Sequence, residues 1–224
     1  MPDPQPGGRE GLWWGLSTSW FMGLDGMMTM HLNPHWLTFW PDGTFYDGTP
    51  PGGLAALDRA ALLDRGDMDW GSSREAEGRL ELTFASGETA SYDATDDSFT
   101  RGDLTLTAIT PLPDGTKVDG SLSTFFYSGF SPGSGITGGM SSSSLTRFHP
   151  DGSWDFDSSG GGSGSFDMGG GFATSSGTSD AGRYEVKDGL LVQYDAKGQV
   201  IDRAWIFKDG SDIWVGSETL ATGG

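Results

Sequence analysis

The stretch Leu37–Phe45, LTFWPDGTF, recurs as Leu145–Trp154, LTRFHPDGSW. In each copy the Pro-Asp-Gly run suits a tight turn, because Pro fixes φ, Asp bonds nearby backbone and Gly accepts a positive φ. The aromatic residues and threonines around the first turn favour strands, and so do the aromatic residues around the second. We therefore predict that each copy is a β-hairpin.

Similar segments flank the two hairpins in the same order. The pairs are Leu16–Trp20 with Leu122–Phe126, Gly78–Leu80 with Gly182–Tyr184, and Leu80–Gly87 with Leu190–Gly198. Ordered matches at a spacing of roughly 104 to 111 residues indicate that a whole structural unit was duplicated.

The duplication predicts an all-β fold of two homologous antiparallel meander units. These units are expected to form either two small barrels or one continuous sandwich, with one short helix. Residues 1–11 are expected to be a flexible lead-in, residues 12–112 the first unit and residues 118–220 the second unit.

The segments that connect the strands differ between the two units. Leucines and alanines at helical spacing predict a helix over residues 54–65 of the first unit. A Met-rich loop is expected at residues 24–34 of the same unit. Ser/Gly-rich loops are expected at residues 131–144 and 157–181 of the second unit, because Ser and Gly bury too little apolar surface to form a core.

The order of motifs in each half resembles the lipocalin-like, or calycin-type, β-meander domains. The segments Phe39–Tyr46, Pro50–Gly53, Phe148–Trp154 and Gly182–Tyr194 are also similar to a group of uncharacterised bacterial proteins with two such repeats. The resemblance covers nearly the whole chain. It implies β-barrels, which in lipocalin-like proteins hold a small apolar ligand in the interior, and it brings no catalytic residue to this chain.

The chain is strongly acidic and contains no Cys. It has 31 Asp and Glu against 13 Lys and Arg in 224 residues, which gives a formal net charge of −18. This charge repels phosphate backbones and anionic lipid, so nucleic-acid binding is not expected. Membrane insertion is not expected either, because no apolar run is long enough to span a bilayer.

Aromatic and Met side chains crowd the first unit, where they either fill the core or line a ligand pocket. We expect the pocket to lie under the Met-rich loop and the predicted helix. Its candidate ligand-binding residues are Trp20, Met28, Met30, Trp36, Trp40, Tyr46 and Trp70.

Residues with catalytic or metal-ligating chemistry form no recognisable motif. His31 and His35 have the spacing of a helical metal pair, but Pro34 disfavours a helix between them. The Asp clusters do not match the spacing of a calcium loop. We therefore expect no catalytic residue, no metal site and no cofactor.

These patterns favour a non-enzymatic binding or interaction module. Its partner is expected to be a small apolar or aromatic ligand in the first unit, or another protein. The alternatives are a hydrolase that uses carboxylates at a barrel mouth and a purely structural domain of a larger protein. Because the N-terminus has no signal-peptide pattern, the chain is expected in the cytoplasm if this end is native, and in the periplasm or outside the cell if the chain is a mature fragment.

Overall fold

The computed structural model describes residues 9–22, 28–55, 57–129, 136–166 and 171–222. Within these ranges the chain is almost entirely β-structure, arranged as two similar antiparallel units, with one short helix. The predicted fold class is therefore confirmed, and both units are barrel-like rather than parts of one sandwich. Among the same residues, no helix has the length and apolar character needed to cross a membrane.

The first unit is a closed barrel of eight strands in chain order. Its elements are β1 Gly11–Met22, β2 Met28–Phe39, β3 Thr44–Asp47, α1 Arg59–Asp64, β4 Trp70–Ala76, β5 Arg79–Phe84, β6 Thr89–Ala94, β7 Ser98–Arg101 and β8 Leu104–Ile109. Strand β1 closes the barrel by pairing with β8 over Leu12–Trp14. Side chains fill the interior, with Phe45, Phe99 and Leu106 fully buried.

The second unit is an eight-stranded sheet, also in chain order. Its strands are β9 Gly120–Gly129, β10 Ile136–Phe148, β11 Ser153–Phe166, β12 Gly171–Lys187, β13 Leu190–Tyr194, β14 Val200–Asp209, β15 Asp212–Val215 and β16 Glu218–Thr219. The two edges of the sheet meet where Ser121 and Ala221 each donate a backbone N–H to the other's carbonyl at 2.9 Å. The core of this unit includes Phe148, Leu191 and Ile206.

The predicted helix is shorter than the sequence pattern indicated. Residues 59–64 are helical, whereas the predicted range was 54–65. The backbone N–H of Gly53 donates to the carbonyl of Pro50, and that of Ala55 donates to Gly52, so turns occupy the start of the predicted range. Helix α1 begins only after Asp58, whose carboxylate accepts from the N–H of Ala61 at 3.0 Å. This is the usual role of an N-cap.

The Ser/Gly-rich segments were predicted to be loops, and the structure corrects this expectation. The described parts of residues 131–144 and 157–181 lie in strands β10, β11 and β12. Residues 131–135 and 167–170 lie outside the described residues. Small side chains leave the strands with little apolar surface, but they do not prevent backbone pairing. Cross-strand hydroxyl pairs add to it, for example Ser158 with Thr178 at 2.7 Å.

The Met-rich segment 24–34 was also predicted to be a loop. Its described part, residues 28–34, belongs to strand β2 and pairs with β1 in continuous register from Met22↔Met28 to Gly11↔Phe39. Residues 1–8 of the predicted flexible lead-in lie outside the described residues. Arg9 is held in place, because its guanidinium bonds the Glu75 carboxylate at 2.7 Å and lies over the Trp13 ring at 5.4 Å.

The structure changes the alignment of the two repeats on both sides of the hairpins. Gly71 pairs with Phe45 in the first unit, and Gly182 pairs with Trp154 in the second. At both glycines a Cβ would clash with the carbonyl oxygen of the next strand and press on that aromatic side chain. Gly182 therefore corresponds to Gly71. The match to Gly78 was wrong, because Gly78 lies in the turn between β4 and β5. The other two flanking matches are also displaced: the strand pairing aligns Leu122 with Trp13 rather than Leu16, and Leu80 with Leu191 rather than Leu190.

The two units pack together through an aromatic interface. Trp14 and Trp36 point outward from the first barrel and meet Phe207 of the second unit, with ring centroids 5.2 Å and 5.5 Å apart. Trp214 lies 5.1 Å from Trp14, and Trp205 is fully buried in the same cluster. The interface is thus a second hydrophobic core between the barrels.

Candidate functional site

The β1–β2 hairpin extends beyond the barrel that it helps to form. Strand β1 pairs with β2 over its full length, but β8 reaches only Leu12–Trp14 and β3 reaches only Leu37–Phe39. We call the remaining described part, residues 16–22 and 28–34, the projecting hairpin. Its described residues include no Asp, Glu, Lys or Arg.

One face of the projecting hairpin is apolar and exposed. Alternate residues of a strand share a face, so the cross-strand pairs Trp20↔Met30 and Met22↔Met28 lie on the same side. Leu32 lies on this side too, opposite Thr18. These five apolar side chains are between 50% and 66% exposed. We call this surface the apolar face.

The apolar face continues into the interface between the two units. Going toward the barrel, the next side chains on this side are Leu16 and Pro34, followed by Trp14 and Trp36. The second unit covers Trp14 and Trp36, which are each 8% exposed. A single apolar surface is therefore buried at one end and open to solvent at the other.

The structure separates the seven predicted ligand-binding residues into three places. Trp20, Met28 and Met30 lie on the apolar face, and Trp36 lies in the interface between the units. The remaining three, Trp40, Tyr46 and Trp70, are buried with Leu62 beneath helix α1. The seven side chains therefore do not line one common pocket.

The cluster beneath helix α1 is packed and its polar atoms are hydrogen-bonded. The Trp40 indole N–H donates to the carbonyl of Ala55 at 2.8 Å, and the Tyr46 hydroxyl donates to the Asp67 carboxylate at 2.9 Å. Burial, and then the bond to Asp67, raise the pKa of Tyr46 above its ordinary range. These contacts identify the cluster as part of the core.

The other face of the projecting hairpin is mainly polar. Ser17 Oγ lies 2.8 Å from His35 Nε2, and the Asn33 amide donates to Ser19 Oγ at 3.0 Å. Farther out, the rings of Phe21 and His31 pack edge-on, with their centroids 6.2 Å apart. The hairpin therefore presents two chemically different surfaces.

At its barrel end, the polar face adjoins the rim of the first barrel, where the titratable side chains of His35 and Asp47 lie on neighbouring strands. Asp47 is opposite Leu37 on the neighbouring strand, which makes it a diagonal neighbour of His35 on the inner face. The side chain of Asp47 is exposed, but the surrounding barrel rim partly desolvates its carboxylate. This desolvation and then Asp69 raise the pKa of Asp47, while His35 and Arg101 oppose this rise. The guanidinium of Arg101 lies over the Tyr92 ring at 5.8 Å.

The Pro-Asp-Gly hairpin of the second unit carries charged groups on its outer surface, at positions equivalent to Trp40 and Tyr46. Asp155 accepts from Arg147 at 2.6 Å and pairs with His149 at 2.7 Å, and Arg147 also reaches Asp157 at 3.0 Å. The bond to His149 and then that to Arg147 hold the pKa of Asp155 below its usual range. Among the described residues, no group of three or more His, Asp or Glu is placed to hold a metal ion.

Sequence reasoning missed the two-faced character of the hairpin, although the signal was present. Apolar residues occupy every second position from Met28 to Trp36, which is the period of a strand with one apolar face. Pro34 and the irregular appearance of the Met-rich segment obscured this pattern. The Ser17–His35 contact had no comparable signal, because it depends on strand register.

Comparison with known proteins provides no relative for this chain: no family model, no curated protein and no solved structure matches it.

Proposed function

We propose that this protein is a binding module that contacts a partner protein through the apolar face of the projecting hairpin. The observation that carries the proposal is the exposure of Trp20, Met22, Met28, Met30 and Leu32 on one side of a hairpin whose described residues include no Asp, Glu, Lys or Arg. Contiguous exposed apolar patches of this kind mark interaction sites in soluble proteins.

Energetics favour covering this face. Burial of apolar surface stabilises a complex by about 25 cal/mol per Å² before the costs of association are counted. Trp and Met are also residue types enriched at protein interfaces. Covering the Trp20–Met30 pair would therefore contribute binding energy without the cost of desolvating a charge.

The shape of the face favours a protein over a small ligand. Small-molecule sites are concave and surround most of the ligand. The apolar face is the side of a two-stranded hairpin, so a small molecule would stay largely exposed to water on it. An extended partner surface can cover it along its whole length.

The charge of the chain favours a partner with basic residues around an apolar patch. The net charge of −18 comes from residues outside the described part of the projecting hairpin. Complementary charges at the periphery of an interface accelerate association and disfavour partners of the wrong sign. We therefore expect an apolar contact at the hairpin and electrostatic attraction around it.

Three labelled synthetic peptides test this proposal by fluorescence anisotropy. One has a Leu/Phe core with flanking Lys, one has the same core with flanking Glu, and one has flanking Lys with Ser in place of the core. The Lys-flanked apolar peptide should bind most tightly. The Trp20→Ser/Met30→Ser variant should bind it at least about tenfold more weakly, which corresponds to 1.4 kcal/mol.

The control is Phe125→Ser, which removes a side chain that is 74% exposed on β9. This variant should bind the peptide like the wild type. Equal binding by the hairpin variant and the wild type would contradict the proposal. Binding of the apolar dye ANS at the hairpin without binding of any peptide would instead favour a small ligand.

A further inference from the structure

We propose that Ser17, His35 and Asp47 form a nucleophilic site at the rim of the first barrel, which hydrolyses carboxylic esters with a short acyl group. This activity would be separate from the binding proposed above. It uses the polar face of the hairpin, whereas the proposed contact surface is the opposite face.

The first argument is the pairing of a hydroxyl with a base. Ser17 Oγ lies 2.8 Å from His35 Nε2, within the range over which an imidazole accepts a hydroxyl proton. Both side chains are partly buried, and the contact joins adjacent strands. Pairing along β1 and β2 fixes the positions of both residues, so the pair does not depend on a loop.

The second argument is the position of the carboxylate. His35 lies diagonal to Ser17 on one neighbouring strand and diagonal to Asp47 on the other, so the three side chains form a row across β1, β2 and β3. Because Nε2 faces Ser17, Nδ1 is the nitrogen left for a carboxylate. A carboxylate beside the base stabilises the imidazolium that forms during proton transfer.

The chemistry proceeds in two balanced steps. Ser17 Oγ bonds to the carbonyl carbon of the ester, the bond from this carbon to the alcohol oxygen breaks, and the hydroxyl proton passes through His35 Nε2 to the leaving alcohol. Water then attacks the acyl carbon while His35 accepts a proton from it. The bond between this carbon and Ser17 Oγ breaks, Oγ takes the proton back from His35, and a carboxylic acid is released.

The packing of the barrel limits the substrate. Directly below the rim, the interior is filled by Leu37, Phe99 and Leu106, which are 1% exposed or less. A long acyl chain therefore has no space to enter the barrel. This favours acetyl or similarly short acyl groups over fatty-acyl groups.

The test is covalent labelling with a fluorophosphonate, followed by peptide mapping, together with release of p-nitrophenol from p-nitrophenyl acetate. The fluorophosphonate should phosphonylate Ser17 with loss of fluoride, at least about tenfold faster than Ser19. The variants Ser17→Ala and His35→Gln should lose both labelling and ester hydrolysis.

The matched control is Ser19→Ala. Ser19 lies on the same face two residues away, but its hydroxyl bonds the amide of Asn33 rather than a base. This variant should react like the wild type. Equal labelling of Ser17 and Ser19, or no labelling of Ser17 in a folded wild-type protein, would overturn the proposal.

Asp47 is a positioning residue, and its test separates charge from structure. Asp47→Asn should slow labelling of Ser17 at an unchanged thermal midpoint, and Asp47→Glu should restore most of the rate. If Asn and Glu behave alike, the carboxylate has no role. The Trp20→Ser/Met30→Ser variant should still be labelled, so the outcome does not depend on the peptide-binding result.

Discussion

The outward side of the Pro-Asp-Gly hairpin differs completely between the two units, although the inward side and the turn are alike. In the first unit the outward residues include Trp40 and Tyr46, which are buried under helix α1. The equivalent positions in the second unit are His149 and Asp155, which form a partly exposed ionic cluster. A helix covers one copy, and no helix is found among the described residues of the other.

The difference shows which part of a duplicated unit is free to change. The turn is preserved, because the N–H of Thr44 donates to the Asp42 carboxylate at 3.0 Å and that of Ser153 donates to Asp151 at 2.8 Å. Inward residues are preserved because they fill a barrel. The polarity of the outward residues depends on their surroundings: they are apolar where another element covers them and polar where they face water.

The largest expected effect is the removal of the contact between helix α1 and the first hairpin. Leu62 is 2% exposed and packs against Trp40, Tyr46 and Trp70. Leu62→Ala should lower the free energy of unfolding by about 2–5 kcal/mol, because it leaves a cavity. Urea denaturation measures this. Leu63 lies on the same helix and is 52% exposed, so Leu63→Ala should change the free energy of unfolding by less than about 0.5 kcal/mol.

A smaller effect is expected where the segment before α1 touches the second unit. Gly53 has φ +60°, and a Cβ there would clash with the carbonyl oxygen of Asp188. Gly53→Ala should therefore destabilise the protein by roughly 1–3 kcal/mol in urea denaturation. The neighbouring Gly52→Ala is the control, because its Cβ would lie 3.8 Å from the nearest side chain. Equal losses would show that the contact with Asp188 is unimportant.

The third prediction concerns Tyr46, which is neutral and buried where the second unit has Asp155. Tyr46→Phe removes the bond to Asp67 and should cost about 0.5–1.5 kcal/mol at neutral pH. The folded protein raises the pKa of Tyr46. Its contribution to the free energy of unfolding is therefore complete below the ordinary phenol pKa of about 10, and it is lost as the pH rises above that value. The variant should lose less stability than the wild type between pH 9 and 11, as measured by chemical denaturation. Parallel pH profiles would contradict this.

The smallest effect is expected at Asp155 itself. Asp155→Asn should cost about 0.2–1 kcal/mol, because the ion pairs are partly exposed, and high salt should remove most of the difference. The folded protein lowers the pKa of Asp155. The contribution of Asp155 to the free energy of unfolding is therefore complete above the ordinary pKa of a carboxyl group, and it is lost as the pH falls below that value. Asp157→Asn, which removes only the longer contact with Arg147, should cost less. Thermal denaturation at pH 7 and pH 3 compares the two variants.

Much of the scaffold was predictable because it depends on local patterns. The Pro-Asp-Gly turns follow from turn chemistry, and the two similar units follow from the ordered repeats. Strands β10 to β12 were not predictable in this way, because Ser and Gly carry no alternating apolar signal. The pairing of β10 with β11 continues in register from the hairpin at Pro150, over residues whose types do not specify it.

The residues predicted to bind a ligand lie apart in the structure. Trp20, Met28 and Met30 do lie on an exposed apolar surface, but Trp40 and Trp70 are covered by a helix. Composition cannot distinguish an aromatic residue that faces solvent from one that faces another element of the same chain. The Ser17–His35–Asp47 row depends on the register of three strands, which a single sequence does not specify.

The interface between the units joins surfaces that are not equivalent in the two repeats. The outward Trp14 of the first unit corresponds to Ser123 of the second, while Leu190 and Val192 correspond to Arg79 and Glu81. A head-to-tail contact of this kind would propagate into a filament if every unit carried both surfaces. Here Ser123, Arg79 and Glu81 are polar where their counterparts in the interface are apolar, so these positions do not form the same contact in both units. The contact between the two units therefore does not repeat the same residues on both of them.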